Sequence, residues 1–69
     1  MADNTYKLVE IVGTSAESFA KAAANGVERA SHSLRNMDWF EVTDMRGRIV
    51  DGRIAQYQVT MKVGFRLED

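Results

Sequence analysis

The C-terminal part of the chain carries a long alternation of apolar and polar residues. From Ala55 to Leu67 every odd position is apolar, whereas the even positions carry polar residues or glycine. A period of two residues is typical of a β-strand that buries one face in a core. At roughly 3.3 Å per residue this strand would span about 40 Å, although most strands have only about five or six residues. The opposite face, with Gln58, Lys62 and Arg66, therefore needs water, a ligand or another subunit.

A first strand and a helix are predicted in the first half of the chain. Residues 5–12 are rich in branched apolar side chains, and Gly13 is expected to end that strand. From Ala16 to about Leu34 the apolar residues recur every three or four positions, which predicts one stripe of a helix. The stripe consists of Phe19, Ala23, Val27, Ala30 and Leu34.

The start of this helix has two candidate caps. Thr14 and Glu17 have the spacing of a capping box, in which each side chain satisfies the other residue's backbone N–H, and Ser15 is the alternative cap. Asn25 and Gly26 lie in the middle of the helix, where a glycine costs about 1 kcal/mol relative to alanine. They weaken the helix prediction without reversing it.

The remaining residues predict a β-hairpin. Residues 35–38 form a short turn after the helix, and Trp39–Ile49 follows as the second strand. Phe40 and Val42 would share one face of it, and the opposite face would carry Trp39, Glu41, Thr43 and Met45. Residues 50–53 form the turn, because the pair Asp51-Gly52 accepts positive φ. The predicted fold is a single α+β domain over residues 1–69, ordered β-α-β-β, with one helix packed on an antiparallel sheet.

Composition narrows the possibilities. A domain of 69 residues buries only about 60% of its unfolded surface and is marginal alone. No cysteine is present, which excludes disulfides and thiolate zinc sites, and the single His32 cannot build a metal site by itself. Oligomerisation is the remaining means of stabilisation. The net charge of -1 favours neither nucleic acid nor acidic membranes as partners. Without a signal peptide or long apolar segment, a cytoplasmic protein is expected.

Trp39 is the residue whose environment most suggests a function. A large aromatic side chain among polar residues is either an interface anchor or a stacking platform, and the residues alone favour burial against a neighbouring subunit. Arg46, Arg48 and Arg53 flank the hairpin turn, where they keep it soluble or contact a phosphate. No nucleophile–base pair and no phosphate-binding glycine loop is recognised, so catalysis is not expected.

Five segments of the chain carry a recognisable pattern: Glu10–Ser15, Asp38–Val42, Arg46-Gly47, Tyr57–Val59 and Val63–Glu68. In these segments the chain resembles the dodecins, small flavin-binding proteins that assemble as hollow spheres of twelve subunits. The resemblance runs from about residue 6 to residue 68 with matching spacing. It implies a three-stranded antiparallel sheet wrapped around the helix, and a hollow homo-oligomer.

The resemblance also implies a flavin site. Trp39 would stack on the isoalloxazine ring, and two flavins would lie between two such tryptophans from symmetry-related subunits. Gln58 would hydrogen-bond the pyrimidine edge of the ring, which suits the donors and acceptor of an amide. Arg46, Arg66 and Asp38 would lie near the flavin. The bacterial character of the sequence favours FMN over riboflavin.

Coenzyme A is a further ligand that the resemblance implies for some bacterial members. Its contacts would come from Lys7, Arg29, Arg35 and Glu68. The function predicted is storage or buffering of a flavin without enzymatic turnover, with quenching of the excited flavin by stacking. The alternative is a structural self-assembling module that carries no cofactor.

Overall fold

The long alternating strand lies at the centre of the sheet in the computed structural model, which describes residues 3–68. The elements are β1 (Tyr6–Ser15), α1 (Phe19–Ala30), β2 (Met37–Val50) and β3 (Arg53–Arg66). The strand order is β1-β3-β2, and both pairings are antiparallel. The predicted α+β class, the β-α-β-β order and the antiparallel sheet with one helix are confirmed. The single-domain prediction extends to residues 1, 2 and 69, which lie outside the described residues.

Strand β3 is paired along both of its edges. It contacts β1 from Tyr57 to Arg66 and β2 from Arg53 to Phe65. Its 14 residues begin two positions before the predicted Ala55 and end just before Leu67. The backbone N–H and C=O groups of β3 are therefore hydrogen-bonded within one chain. A partner is needed to cover the faces of the sheet, and not the edges of β3.

The hairpin turn has the predicted geometry. Asp51 and Gly52 have φ values of 52° and 75°, and the flanking residues Val50 and Arg53 pair directly. Positive φ at both central residues matches the right-handed twist of the strands, which is why Asp-Gly favours this turn.

The helix begins later than predicted. It spans Phe19–Ala30, and the oxygen of Ser18 caps it by accepting a hydrogen bond at 3.0 Å from the N–H of the third helical residue. The capping box of Thr14 and Glu17 and the alternative cap at Ser15 were both wrong. The reason is that β1 continues through Ser15, whose backbone pairs with β3. Beyond Ala30 the chain forms turns over residues 31–33 instead of continuing to Leu34.

Two glycines allow the helix to lie unusually close to the sheet. Gly13 stays within β1 instead of ending it, and it contacts Gly26 of α1. A Cβ on Gly26 would lie 3.0 Å from the Cα of Gly13 and 2.7 Å from the terminal methyl of Met61. A Cβ on Gly13 would overlap the backbone carbonyl of Ala22. The mid-helix glycine that weakened the helix prediction is therefore required by packing.

The neighbouring Asn25 also has a structural role. Its side-chain amide donates a hydrogen bond at 3.1 Å to the backbone carbonyl of Thr14. This bond ties the helix to the end of β1 beside the glycine contact. The buried residues Ala22, Val59 and Met61 form the central cluster of the core.

A β-bulge in β2 determines which side chains share a face. The register shifts at Thr43, between Val42 and Asp44. Because an extra residue reverses the alternation beyond it, Met45 lies on the helix side of the sheet. The prediction that Met45 shares a face with Trp39 was wrong for this reason.

The helix covers β1 and part of β3 but leaves β2 open. The sheet has a helix side, which faces α1, and an outer face, which faces away from α1. On the helix side, Phe40, Val42 and Met45 are 50%, 43% and 53% exposed. These apolar side chains form a surface that the described part of the chain does not cover.

The glycine contact between β1 and α1 gives a stability prediction. Gly13→Ala is expected to destabilise the fold by about 1–3 kcal/mol, because the carbonyl it meets belongs to the helix backbone and cannot rotate away. Gly26→Ala should cost less, since the Met61 methyl can move and alanine gains about 1 kcal/mol of helix propensity. Urea unfolding at one fixed subunit concentration measures both variants.

Gly47→Ala is the matched control, because its Cβ would approach the carbonyl oxygen of Gln56 no closer than 3.3 Å. If the Gly13→Ala and Gly47→Ala variants had the same urea midpoint of unfolding, the packing argument would be contradicted.

Candidate functional site on the outer face

The indole of Trp39 lies directly over a glycine. Trp39 is opposite Gly64 on the neighbouring strand, and a Cβ on Gly64 would overlap the benzene portion of the indole. The register shift just before Trp39 places it on the outer face. The side chain is 44% exposed. Gly64 therefore leaves room for the indole to lie on the sheet, and Trp39 stays almost half exposed.

Tyr6 contacts Trp39 and Asp38 together. The ring centroids of Tyr6 and Trp39 are 4.8 Å apart and the rings are tilted by 55°. The Tyr6 hydroxyl donates a hydrogen bond at 2.9 Å to a carboxylate oxygen of Asp38. Sequence reasoning placed Tyr6 in a strand and assigned it no role. Only the strand register, which the sequence does not reveal, brings β1 and β2 together here.

Arg66 lies beside this aromatic pair. It is opposite Tyr6 in the sheet, and it lines with Asp38 a depression of about 240 Å³. Trp39 is thus flanked by one carboxylate and one guanidinium. Of the predicted flavin residues, the structure brings Trp39, Asp38 and Arg66 together at one end of the outer face.

Gln58 and Arg46 form a second cluster. The Arg46 Nε–H donates to Gln58 Oε1 at 2.8 Å, and Gln58 Nε2 donates to Gln56 Oε1 at 2.8 Å. Arg46 Nη1 also lies 3.5 Å from Asp44 Oδ2, with both side chains more than half exposed. An amide has two acceptor lone pairs and two N–H donors, so these two bonds leave one of each on Gln58.

The two clusters are far apart within one chain. Gln58 and Gly64 are six residues apart on the same strand, which corresponds to about 20 Å. Trp39 lies over Gly64, so it is separated from Gln58 by a similar distance. A single planar ligand does not touch both residues of one chain.

The predicted coenzyme A residues are not all neighbours. Arg35 and Glu68 line one depression of about 230 Å³ at the end of the sheet. Lys7 lies on β1 opposite Phe65, and Arg29 lies in the last turn of α1. Neither of these two residues lines that depression.

Residues 3–68 show neither a metal-binding cluster nor a membrane-spanning helix. Within that range, no three or more His, Cys, Asp or Glu side chains are grouped so that they could hold a metal ion. No helix in the same range has the length and apolar character needed to cross a membrane.

The hydrogen bond between Tyr6 and Asp38 affects protonation. Donation to the Asp38 carboxylate raises the pKa of Tyr6 above its ordinary value of 10.0, and partial desolvation and the negative charge of Asp38 act in the same direction. Asn4 and Arg66 act in the opposite direction. Because the pKa is raised on folding, this contact stabilises the fold fully below pH 10.0, and the stabilisation is lost as pH rises through the raised pKa.

Asp38→Asn is therefore expected to lower the pKa of Tyr6 toward its ordinary value, since an amide does not repel the phenolate. Ultraviolet titration of the flavin-free protein follows the ionisation of its two tyrosines. Tyr6→Phe is the control that identifies which transition belongs to Tyr6. Identical titration curves for the wild type and Asp38→Asn would contradict the assignment.

Comparisons with known proteins are consistent in sequence and in fold. Residues 5–68 match the family model described as Dodecin. The solved structure of dodecin from Streptomyces davaonensis is 54% identical, with a TM-score of 0.96, and the match covers 99% of this chain and 100% of that one. A curated dodecin from Thermus thermophilus is 48% identical over 64 residues, which is 93% of both chains.

A more distant relative is the calcium dodecin of Mycobacterium tuberculosis, described as a calcium-chelating antigen with a novel calcium-binding site. Its structure is 31% identical, with a TM-score of 0.81, and the match covers 93% of this chain and 91% of that one. The family resemblance drawn from the five sequence segments is confirmed by these matches. The chain belongs to the dodecin family.

Proposed function

We propose that this protein is a flavin-storage protein that binds FMN, or another flavin, between subunits and does not turn it over. Membership of the dodecin family implies a homo-oligomer and supports a small flavin-binding protein in general. The observation that carries the proposal is the half-exposed indole of Trp39, seated on Gly64 on the outer face. An exposed aromatic face of this kind is suited to offset stacking on a planar ring system.

The distance between the two clusters makes the proposed site a composite one. Gln58 lies about 20 Å from Trp39 along its own chain, so a flavin stacked on Trp39 takes its amide contact from another subunit. The apolar helix-side surface of β2 supports such assembly, because Phe40, Val42 and Met45 need a cover. A hollow assembly of twelve subunits, as the resemblance implies, would supply both the cover and the second half of the site.

The fixed orientation of Gln58 suits recognition of a ring edge. Arg46 donates to its oxygen, so the amide cannot be reversed without placing two donors face to face. One lone pair and one N–H of this planar amide remain for a ligand. The pyrimidine edge of an isoalloxazine offers a neighbouring carbonyl and N–H, which this pair can meet with two hydrogen bonds.

The charged side chains near the aromatic cluster would contact the side chain of the flavin. Arg66 lies next to Tyr6 and is available for a phosphate, which favours FMN over riboflavin. Arg46 is already bonded to Gln58 and lies near Asp44, so its main role in this proposal is to hold the amide. A bound flavin would supply its redox and light-absorbing chemistry, and the residues of the chain bind it, orient it and exclude water.

A purely structural module is the second candidate function. The exposed apolar surface of β2 favours it, because self-assembly alone would explain why those side chains are apolar. A coloured purified protein with weak flavin fluorescence favours storage, whereas a colourless protein that cannot be loaded favours the structural module. Coenzyme A binding stays a prediction, since only Arg35 and Glu68 of its four residues share a depression.

Trp39→Ala tests the stacking platform. It should weaken FMN by about 1–3 kcal/mol, or roughly one to two decades in Kd, and leave the oligomer intact. Phe40→Ala is the matched control on the next residue, because it removes an aromatic ring from the helix side and should loosen assembly instead. Fluorescence titration and native mass spectrometry measure the two effects. Dissociation of the Trp39→Ala oligomer would show instead that Trp39 is an interface anchor, because a site shared between subunits is lost when they separate.

Gln58→Ala tests the edge contact, and it should weaken FMN by about 1–3 kcal/mol without dissociating the oligomer. Mixing the two variants tests whether the site is composite. Co-assembly of Trp39→Ala with Gln58→Ala chains should restore part of the tight FMN binding, because some sites then receive Trp39 and Gln58 from different chains. A mixed oligomer that binds no better than either variant would contradict the composite site.

A further inference from the structure

Tyr6 has no part in the proposed stacking and yet joins two groups of the site. Its ring is in contact with the indole of Trp39, at a centroid distance of 4.8 Å, and its hydroxyl donates to Asp38 at 2.9 Å. Tyr6 is 37% exposed and Trp39 44%, so the pair lies at the surface of the described chain. An aromatic contact alone needs no carboxylate partner for the phenol.

The carboxylate matters for electron transfer. Indole and phenol are the side chains most readily oxidised by loss of one electron, and they exchange electrons rapidly when in contact. A phenol that loses an electron becomes a very strong acid, so its oxidation at neutral pH requires a base that takes the hydroxyl proton. The carboxylate of Asp38 already accepts that hydrogen bond.

We propose that Tyr6 and Asp38 form a radical relay that re-reduces Trp39. When the indole has lost one electron to an oxidant, such as the photoexcited flavin of the proposed function, Tyr6 returns an electron to it. The hydroxyl proton of Tyr6 passes to Asp38 in the same step. The indole radical cation, the phenol and the carboxylate thus become a neutral indole, a phenoxyl radical and a carboxylic acid, with charge and atoms conserved.

The relay would protect the stacking platform. An oxidised indole reacts irreversibly with oxygen and water, whereas a phenoxyl radical is more persistent and is reduced by soluble thiols or ascorbate. The pKa of Tyr6 is raised chiefly by this same hydrogen bond to Asp38.

Pulse radiolysis with the azide radical tests the relay without any flavin. This oxidant attacks tryptophan preferentially, and the indole and phenoxyl radicals have distinct absorption spectra. In the flavin-free wild type, the indole radical should convert into a phenoxyl radical in a first-order step that is independent of protein concentration. Tyr6→Phe should abolish that step while keeping the ring contact. Asp38→Asn should slow it about tenfold or more, which corresponds to a barrier higher by about 1.4 kcal/mol.

Tyr57→Phe is the matched control, because Tyr57 lies on the helix side, edge-on to Phe19 at 4.9 Å. It should leave the conversion unchanged. Trp39→Phe should leave only the phenoxyl radical formed promptly by direct oxidation. Circular dichroism and native mass spectrometry verify that each variant is folded and assembled.

A wild type that forms no delayed phenoxyl radical would overturn the proposal, and so would normal conversion in Tyr6→Phe. An unchanged rate in Asp38→Asn would overturn the role of Asp38 as proton acceptor. The relay depends on flavin only for its biological oxidant. Loss of the proposed flavin function would appear in the FMN titrations, whereas loss of the relay would appear in this flavin-free measurement.

Discussion

The constraint on which this fold depends is the difference in length between its helix and its central strand. The 12 residues of α1 span about 18 Å, and the 14 residues of β3 span about 46 Å. One helix therefore covers less than half of the apolar face that β3 and its neighbours present. The remainder, largely on β2 and the end of the hairpin, has no cover within residues 3–68. Membership of an oligomeric family agrees with this imbalance.

The same constraint explains why the helix has the sequence it has. A short helix must bury its contacts efficiently, and the contact between Gly13 and Gly26 brings its backbone close to β1. Close approach also lets Met61 and Val59 fill the space below Ala22 with few side chains. A larger residue at either glycine would lift the helix and expose part of a core that is already small.

The sequence predicted the fold well where the signal is local. Alternation in β3 and the Asp51-Gly52 turn are properties of neighbouring residues, and both were confirmed. The cap at Ser18 and the bulge at Thr43 depend on where β1 ends and on how β2 aligns with β3, so periodicity alone placed the cap wrongly and missed the bulge.

The residues of the candidate site could be named from the sequence, but their positions relative to one another could not. Its residues were named from the family resemblance, and their grouping into two clusters follows from the strand register. Trp39, Asp38 and Arg66 lie at one end of the outer face, and Gln58 and Arg46 lie about 20 Å further along the strands. The role of Tyr6 required a contact between β1 and β2, two strands that lie on opposite sides of β3.

Gly64 is the residue that distinguishes the two interpretations of Trp39, as an interface anchor or as a stacking platform. An indole that anchors an interface inserts into a pocket of its partner and gains from being surrounded by side chains. Here the ring lies against its own sheet over a residue without a side chain, and Trp39 stays 44% exposed. A flat, supported and half-exposed ring is what a planar ligand needs for stacking. Any side chain at position 64 would lift the indole off the sheet, so Gly64 belongs to the proposed flavin site as much as Trp39 does.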